Sequence, residues 1–136
     1  MKTRKLGWTA LELTTIGIGT FPIGGADWFG GWGPQDDRES TAMIRRALEL
    51  GINWIDTAPV YGLGRAEQVV GGALKGIAKK PFIATKLGLV WNEHGKASDN
   101  LKRESVRREV GDALRKIELE LKDVPAVKPP RSPEEF

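Results

Sequence analysis

The segment Ile52-Asn53-Trp54-Ile55-Asp56-Thr57-Ala58-Pro59 predicts a buried strand that ends abruptly. Pro59 has no backbone N–H to donate to a sheet, so the strand is expected to end near Asp56. Segments with helical periodicity lie on both sides of it. A buried strand between two helices is typical of parallel βα units.

The helix before this strand is predicted to begin at an N-cap, Asp36 or Asp37, and to end at Gly51. The helix after it is predicted over about 65–74, with Val69, Val70 and Ala73 facing inward. The third helix is long and basic and is predicted over 103–121. The apolar stripe of the first helix comprises Met43, Ile44, Ala47, Leu48 and Leu50, and that of the third comprises Val106, Val110, Leu114, Ile117 and Leu121.

Two further strands are predicted, over 15–20 and 82–85, and the first is apolar enough to be buried on two faces. The segments 4–6 and 11–13 alternate and predict an amino-terminal β-hairpin. The order hairpin, β, α, β, α, β, α therefore predicts an α/β fold with a parallel sheet.

The composition, 40% hydrophobic and 29% charged over 136 residues, favours one globular unit, which we place at residues 1–122. Residues 123–136 are rich in proline and are expected to form a mobile tail. A net charge of +3 gives little support for a nucleic-acid partner. The absence of cysteine excludes disulfides and thiolate metal sites, and no metal is predicted. No apolar run is long enough to span a membrane, so a cytoplasmic protein is expected.

Asp56 and Lys86 each close a predicted strand, and the carboxyl ends of parallel strands share one face. If the two strands are neighbours, their backbones lie about 4.8 Å apart and the two side chains can form an ion pair. Tyr61, the only tyrosine, follows Asp56 in a glycine-rich loop. An ammonium near a phenol favours the phenolate, so the three groups predict a proton relay. The alternative is that all three are solvated or packed loop residues.

Several short segments resemble the aldo-keto reductases, in the same order, over about residues 4–117. They are Leu6-Gly7-Trp8-Thr9, Gly17-Ile18-Gly19-Thr20, Asp56-Thr57-Ala58-Pro59-Val60-Tyr61-Gly62, Gly64-Arg65-Ala66-Glu67, Ala84-Thr85-Lys86, Gly88-Leu89-Val90-Trp91 and Ser105-Val106-Arg107-Arg108-Glu109. The resemblance implies a (β/α)₈ TIM barrel whose bottom is closed by an amino-terminal hairpin. This chain would supply a partial barrel, about the first three βα units.

The resemblance also implies roles for residues. Tyr61 would protonate the carbonyl oxygen of a small-molecule substrate as hydride arrives from NADPH, Lys86 would tune Tyr61, and Asp56 would hold Lys86. Gly19, Thr20 and Asp56 would lie near the nicotinamide ribose. Trp28, Trp32 and Trp91 are candidate walls of the substrate pocket, although loop aromatics more often fasten a loop to the rim.

The sequence also departs from the family pattern. The family's fourth catalytic residue, a histidine that ends the next strand, has no counterpart after Lys116, and His94 is expected to be a solvated loop residue. A barrel typically needs about 250 residues, so we expect an amino-terminal half, truncated or split, with little turnover alone. The alternative is a non-catalytic fragment or binding subunit that self-associates or pairs with a complementary half-barrel through exposed strand edges.

Two rival functions fit poorly. A dinucleotide-binding fingerprint would need a third glycine where the segment 17–22 has Pro22. The basic helix 103–121 could suggest nucleic acid, but acidic residues are interleaved with the basic ones, which favours a solvated face.

Overall fold

The fold is described for residues 1–119 in a computed structural model. The predicted tail over 123–136 lies outside these residues. The strands are β1 (Thr3–Lys5), β2 (Glu12–Thr14), β3 (Ile18–Gly19), β4 (Trp54–Asp56), β5 (Phe82–Ala84), β6 (Leu89–Trp91) and β7 (Ala97–Asp99). The helices are α1 (Asp37–Glu49), α2 (Arg65–Leu74) and α3 (Arg103–Lys116), with a 3₁₀ turn at Pro22–Gly24.

A parallel sheet with the order β3-β4-β5 confirms the predicted α/β fold. Gly19 pairs with Asp56, and Asp56 pairs with Ala84, so the carboxyl ends of the three strands lie side by side. β1 and β2 form the predicted antiparallel hairpin. Gly17 packs on the Trp54 indole so closely that a Cβ would lie 2.1 Å from the ring, which explains the glycine before β3.

The main core lies between the sheet and the helices α1 and α2. Ile44 of α1, Ile55 of β4 and Val70 of α2 are completely buried in it. The prediction for α2 is confirmed, because Val69, Val70 and Ala73 are all buried.

The predicted stripe of α1 is too wide. Met43 and Leu50 are 45% and 58% exposed, and the buried residues of the helix are Ser40 and Ile44. Helix α1 packs mainly against α2, so only a narrow arc of its surface is covered. Its ends are as predicted: Asp36 is the N-cap, and Gly51 follows the C-cap with a left-handed φ of 93°.

The segment after β5, where the sequence analysis predicts no strand, contains further β-structure. It contains the antiparallel hairpin β6–β7. Helix α3 ends at Lys116 rather than at residue 121, because the chain turns at Glu118, whose φ is 54°. Among residues 1–119, no helix is long and apolar enough to cross a membrane.

The buried face of α3 matches the predicted stripe only in part: Ile117 is buried as predicted, and Leu121 lies outside the described residues. Val110 is exposed, whereas Ser105, Glu109 and Ala113 are buried. The Glu109 carboxylate accepts hydrogen bonds from the backbone N–H of Gly88 at 2.7 Å and from the Ser105 hydroxyl at 2.8 Å. Because both of its oxygens are bonded, a carboxylate can occupy a position that periodicity assigns to an apolar residue.

The N-cap of α1 gives a test of local stability. The Asp36 carboxylate accepts hydrogen bonds from the backbone N–H groups of Arg38 and Glu39 at 2.7 and 3.1 Å. We expect Asp36→Ala to lower the free energy of unfolding by about 1 kcal/mol in urea titrations. Asp36→Asn retains the cap and is the matched control. Equal stability of the alanine and asparagine variants would contradict this role.

Candidate active site

The carboxyl end of β4 brings two predicted site residues into direct contact. The Lys86 ammonium donates to both carboxylate oxygens of Asp56, at 2.8 and 2.9 Å, and to the backbone carbonyl of Thr57 at 3.0 Å. The side chains are 49% and 39% exposed, respectively. The ammonium is therefore held by three acceptors, and the ion pair is still accessible to solvent.

The backbone beneath this pair is pinned from both sides. The Asp56 carbonyl accepts from the backbone N–H and from the hydroxyl of Thr20, both at 3.0 Å. On the other side, the backbone N–H of Thr57 donates to the carbonyl of Ala84 at 2.8 Å. Both neighbours of β4 thus hold the residues from which the site projects.

Tyr61 lies in the loop between β4 and α2, beside Lys86. The Lys86 Nζ atom is 5.1 Å from the centroid of the phenol ring. The backbone N–H of Tyr61 donates to the carbonyl of Ala58 at 3.1 Å, which gives the loop a turn. Gly62 has a φ of 62°, and a Cβ there would lie 2.2 Å from the carbonyl oxygen of Gly24. A glycine is therefore required at the position after the tyrosine.

The surroundings of Lys86 have opposing effects on its protonation. Burial lowers the pKa of the ammonium, but the hydrogen bonds and charge of the Asp56 carboxylate, together with the contribution of Tyr61, outweigh it. The net result is a pKa raised above its usual value of 10.5. Lys86 is therefore a stable cation at neutral pH beside the phenol.

Aromatic rings pack around Tyr61. The Phe21 ring is 5.0 Å from that of Tyr61, 4.9 Å from Trp28 and 5.7 Å from Trp32, between centroids. Trp32 is 74% exposed, whereas the Trp28 indole N–H donates to the carbonyl of Gly25 and fastens the loop. Phe21 joins the group and was not singled out from the sequence, although it follows Thr20 at the end of β3.

The third predicted wall residue has a different setting. Trp91 lies on β6, and its ring centroid is 5.7 Å from the Nζ atom of Lys116. His94 is highly exposed between β6 and β7 beside Glu93, as expected of a solvated loop residue.

The residues predicted near a nicotinamide differ in accessibility. Gly19 is exposed, and no atom lies within 4 Å of where its Cβ would be, which leaves open space beside Asp56. Thr20 is completely buried, and its hydroxyl is used by the Asp56 carbonyl. The two residues therefore offer a ligand an open backbone surface rather than a side chain.

A buried carboxylate that was not predicted from the sequence, that of Glu67, lies next to the site. Glu67 of α2 is completely inaccessible. It accepts from the Thr85 hydroxyl at 2.9 Å and from the Lys116 ammonium at 3.3 Å. The only signal in the sequence is a charged residue among the small and apolar residues of α2, and helix termini often carry such a charge.

These contacts place a carboxylate, an ammonium and a phenol at the carboxyl edge of a parallel sheet, the place where α/β proteins bind their ligands. The class is thus an α/β protein with a candidate proton-transfer site. The model of the aldo/keto reductase family matches residues 16–126, and the chain belongs to that family.

Known members of the family align with most of this chain. The NADH-specific methylglyoxal reductase of Escherichia coli is 37% identical and aligns with 91% of this chain. The holo form of the aldo-keto reductase AKR11C1 from Bacillus halodurans superposes on 88% of the chain with a TM-score of 0.74 and 32% identity. A Klebsiella pneumoniae aldo-keto reductase in complex with NADPH matches 87% of it at 26% identity, with a TM-score of 0.63. This chain covers only 40%, 37% and 36% of these three proteins, respectively.

The raised pKa of Lys86 makes the stability of the fold depend on pH. A group whose pKa is higher in the folded state stabilises the fold fully below its unfolded value, here near 10.5, and loses that contribution as the pH rises through the folded value. We expect Lys86→Met to lower the free energy of unfolding at pH 7 by less than about 1 kcal/mol, because the pair is half-exposed.

The difference should persist to about pH 10 and vanish above the folded pKa, as measured by urea unfolding at several pH values. Lys75→Met is the matched control, because it removes another exposed lysine that is paired with a carboxylate, that of Glu118. A Lys86→Met difference that is equally large at pH 12 would contradict the assignment.

Proposed function

We propose that this chain carries the proton-transfer part of an NADPH-dependent reductase that converts aldehydes or ketones to alcohols. The observation that carries the proposal is the Lys86 ammonium, which is held by the Asp56 carboxylate and lies 5.1 Å from the centre of the Tyr61 ring. A cation fixed beside a phenol stabilises the phenolate that forms when the phenol gives up its proton.

When bound, a reduced nicotinamide cofactor would supply a hydride to the carbonyl carbon of the substrate, and the residues of this chain would handle the proton. The C=O π bond breaks, its electron pair moves to oxygen, and the Tyr61 hydroxyl donates a proton to that oxygen. The product is an alcohol, and Tyr61 is left as a phenolate beside the Lys86 ammonium. Asp56 keeps the ammonium in place, and a proton from solvent restores the phenol through the exposed face of the pair.

The residues present fit the nicotinamide end of such a cofactor. The open space at Gly19 adjoins the Asp56 carboxylate, which can accept hydrogen bonds from ribose hydroxyls. Thr20 supports this position through the Asp56 carbonyl, and its own contact with a cofactor stays a prediction. The NADPH complex of the Klebsiella relative favours NADPH, whereas the Escherichia coli relative is specific for NADH.

A small carbonyl compound such as methylglyoxal is the substrate class that we propose, because the Escherichia coli relative reduces it. The exposed ring of Trp32, with Trp28 behind it, would form an apolar wall near Tyr61, and Trp91 would form another. We further propose that residues 1–122 correspond to about three βα units of a barrel. The cytoplasmic location stays a prediction.

Activity is tested first by calorimetric titration with NADPH and NADH, followed by reduction of methylglyoxal monitored at the nicotinamide absorbance. We expect weak cofactor binding and slow turnover from the 136-residue chain. Tyr61→Phe keeps the ring and its packing, so it should leave binding unchanged and lower turnover at least about 100-fold. Turnover that is equal in the wild type and Tyr61→Phe would remove Tyr61 from the role of acid.

A second candidate function, self-association, is favoured by the open edge of β5. Phe82 and Ala84 form backbone hydrogen bonds toward β4, so the backbone of Ile83 faces the other side, where residues 1–119 provide no strand. A groove of about 830 Å³ runs along this edge. Its lining includes Leu6, Leu13, Phe82, Val110 and Leu114.

We propose a second copy of this chain as the occupant. An antiparallel, two-fold pairing of β5 with its counterpart would satisfy the open edge of both copies at once.

Sedimentation equilibrium tests this second function. We expect a dimer at about micromolar concentration and a monomer for Val110→Lys, which places a charge in the groove. Val106→Lys, one turn earlier on α3 and outside the groove lining, is the matched control and should remain dimeric. A wild-type chain that is monomeric throughout would exclude self-association.

A further inference from the structure

Glu67 is a buried charge that the proposed reaction does not use. It lies in the first turn of α2, where the helix dipole favours a carboxylate, and it is completely buried. Burying a carboxylate is costly unless it is paired and hydrogen-bonded. Its two partners, Thr85 and Lys116, belong to different parts of the chain, so Glu67 links α2 to the end of β5 and to α3.

Thr85 connects Glu67 to Lys86 through the backbone. Thr85 lies between Ala84, the last residue of β5, and Lys86. Its hydroxyl donates to Glu67 at 2.9 Å, while the Lys86 side chain reaches across to Asp56 and to the carbonyl of Thr57. A hydrogen bond that fixes Thr85 therefore also fixes the backbone from which the Lys86 side chain starts.

The same helix turn is tied to the loop that carries Tyr61. The backbone N–H of Ala66, the residue before Glu67, donates to the carbonyl of Tyr61 at 3.2 Å. Glu67 is thus one residue away from a contact with Tyr61 and one residue away from Lys86.

Lys116, the second partner of Glu67, restricts the carboxylate further. The Lys116 ammonium is 3.3 Å from the second carboxylate oxygen and is mostly buried. The lysine is itself confined, because a Cβ at Gly64 would lie 3.0 Å from its Nζ atom, and one at Gly71 would lie 2.2 Å from its carbonyl oxygen. The close approach of α2 and α3 therefore leaves the carboxylate little freedom to move away from Thr85.

We propose that Glu67 is a positioning residue that sets the place of the Lys86 ammonium relative to Tyr61, through its hydrogen bond with Thr85. This inference rests on the proposed function, in which Lys86 acts on Tyr61. Glu67 touches neither a substrate nor the phenol, and its effect passes through the backbone at residues 85–86 and through the start of α2.

Two nuclear magnetic resonance signals report the effect without any need for turnover. Tyr61 is the only tyrosine, so a ¹³C label at the tyrosine Cζ gives one signal from the site. A ¹³Cε label on lysine follows the titration of Lys86, whose signal is assigned by its absence in Lys86→Arg. In the wild type, the pKa of Lys86 should be raised, as its contacts with Asp56 and Tyr61 require.

Thr85→Val removes the hydroxyl and keeps the shape of the side chain. We expect it to shift the Tyr61 signal and to bring the pKa of Lys86 down toward 10.5. Glu67→Gln still accepts from Thr85 and should keep both signals as in the wild type, although the lost ion pair with Lys116 lowers its stability. Ser105→Ala is the matched control, because it removes a hydroxyl from another buried carboxylate, Glu109, and should leave both signals unchanged.

Three outcomes would contradict different parts of the inference. Wild-type signals in Thr85→Val would overturn the role of Glu67 and leave the proposed function intact. A Tyr61 signal that does not respond to Lys86→Met would instead show that Lys86 does not act on Tyr61, and the proposed function itself would fail. A shift in Ser105→Ala as large as that in Thr85→Val would reduce Glu67 to general structural support.

Discussion

The parallel pairing of β4 with both of its neighbours is the constraint on which the site depends. Asp56 lies at the end of the central strand. Its carbonyl accepts two hydrogen bonds from Thr20, and the backbone N–H of the next residue, Thr57, donates to Ala84 of β5. Lys86 can form two hydrogen bonds to the carboxylate only because β5 ends beside β4 in this register. A shift of one residue would turn the Asp56 side chain to the opposite face of the sheet.

Those parts of the fold that carry strong local signals could be predicted from the sequence. Helix α2 has the predicted bounds, and α1 has its predicted cap and terminal glycine, because periodicity, capping residues and glycine agree there. The hairpin β6–β7 was missed because each strand has only three residues and β7 (Ala97–Asp99) is largely polar. The start of α3 was predicted correctly, but its end was not, and part of its buried face was wrong because contacts distant in sequence, such as that of Glu109 with Gly88, decide what is buried.

The candidate site divides in the same way. The contact of Asp56 with Lys86 follows from the rule that parallel strands end on one face, and Tyr61 follows Asp56 within the same loop. Phe21 and Glu67 could not be found by that rule, since their importance comes from what packs against them. A ring that contacts Tyr61 and a carboxylate that meets Thr85 are properties of tertiary structure.

The energetics of the two carboxylates point to different roles. The ion pair of Asp56 with Lys86 is half-exposed, and such pairs contribute at most about 1 kcal/mol, so stability alone is a weak reason for its bidentate geometry. Glu67 is fully buried, and its desolvation is offset only while both of its partners stay in place. A site with a defined geometry needs reactive groups that a ligand can reach and a buried network that keeps them in place. The exposed pair of Asp56 with Lys86 and the buried contacts of Glu67 fit these two requirements.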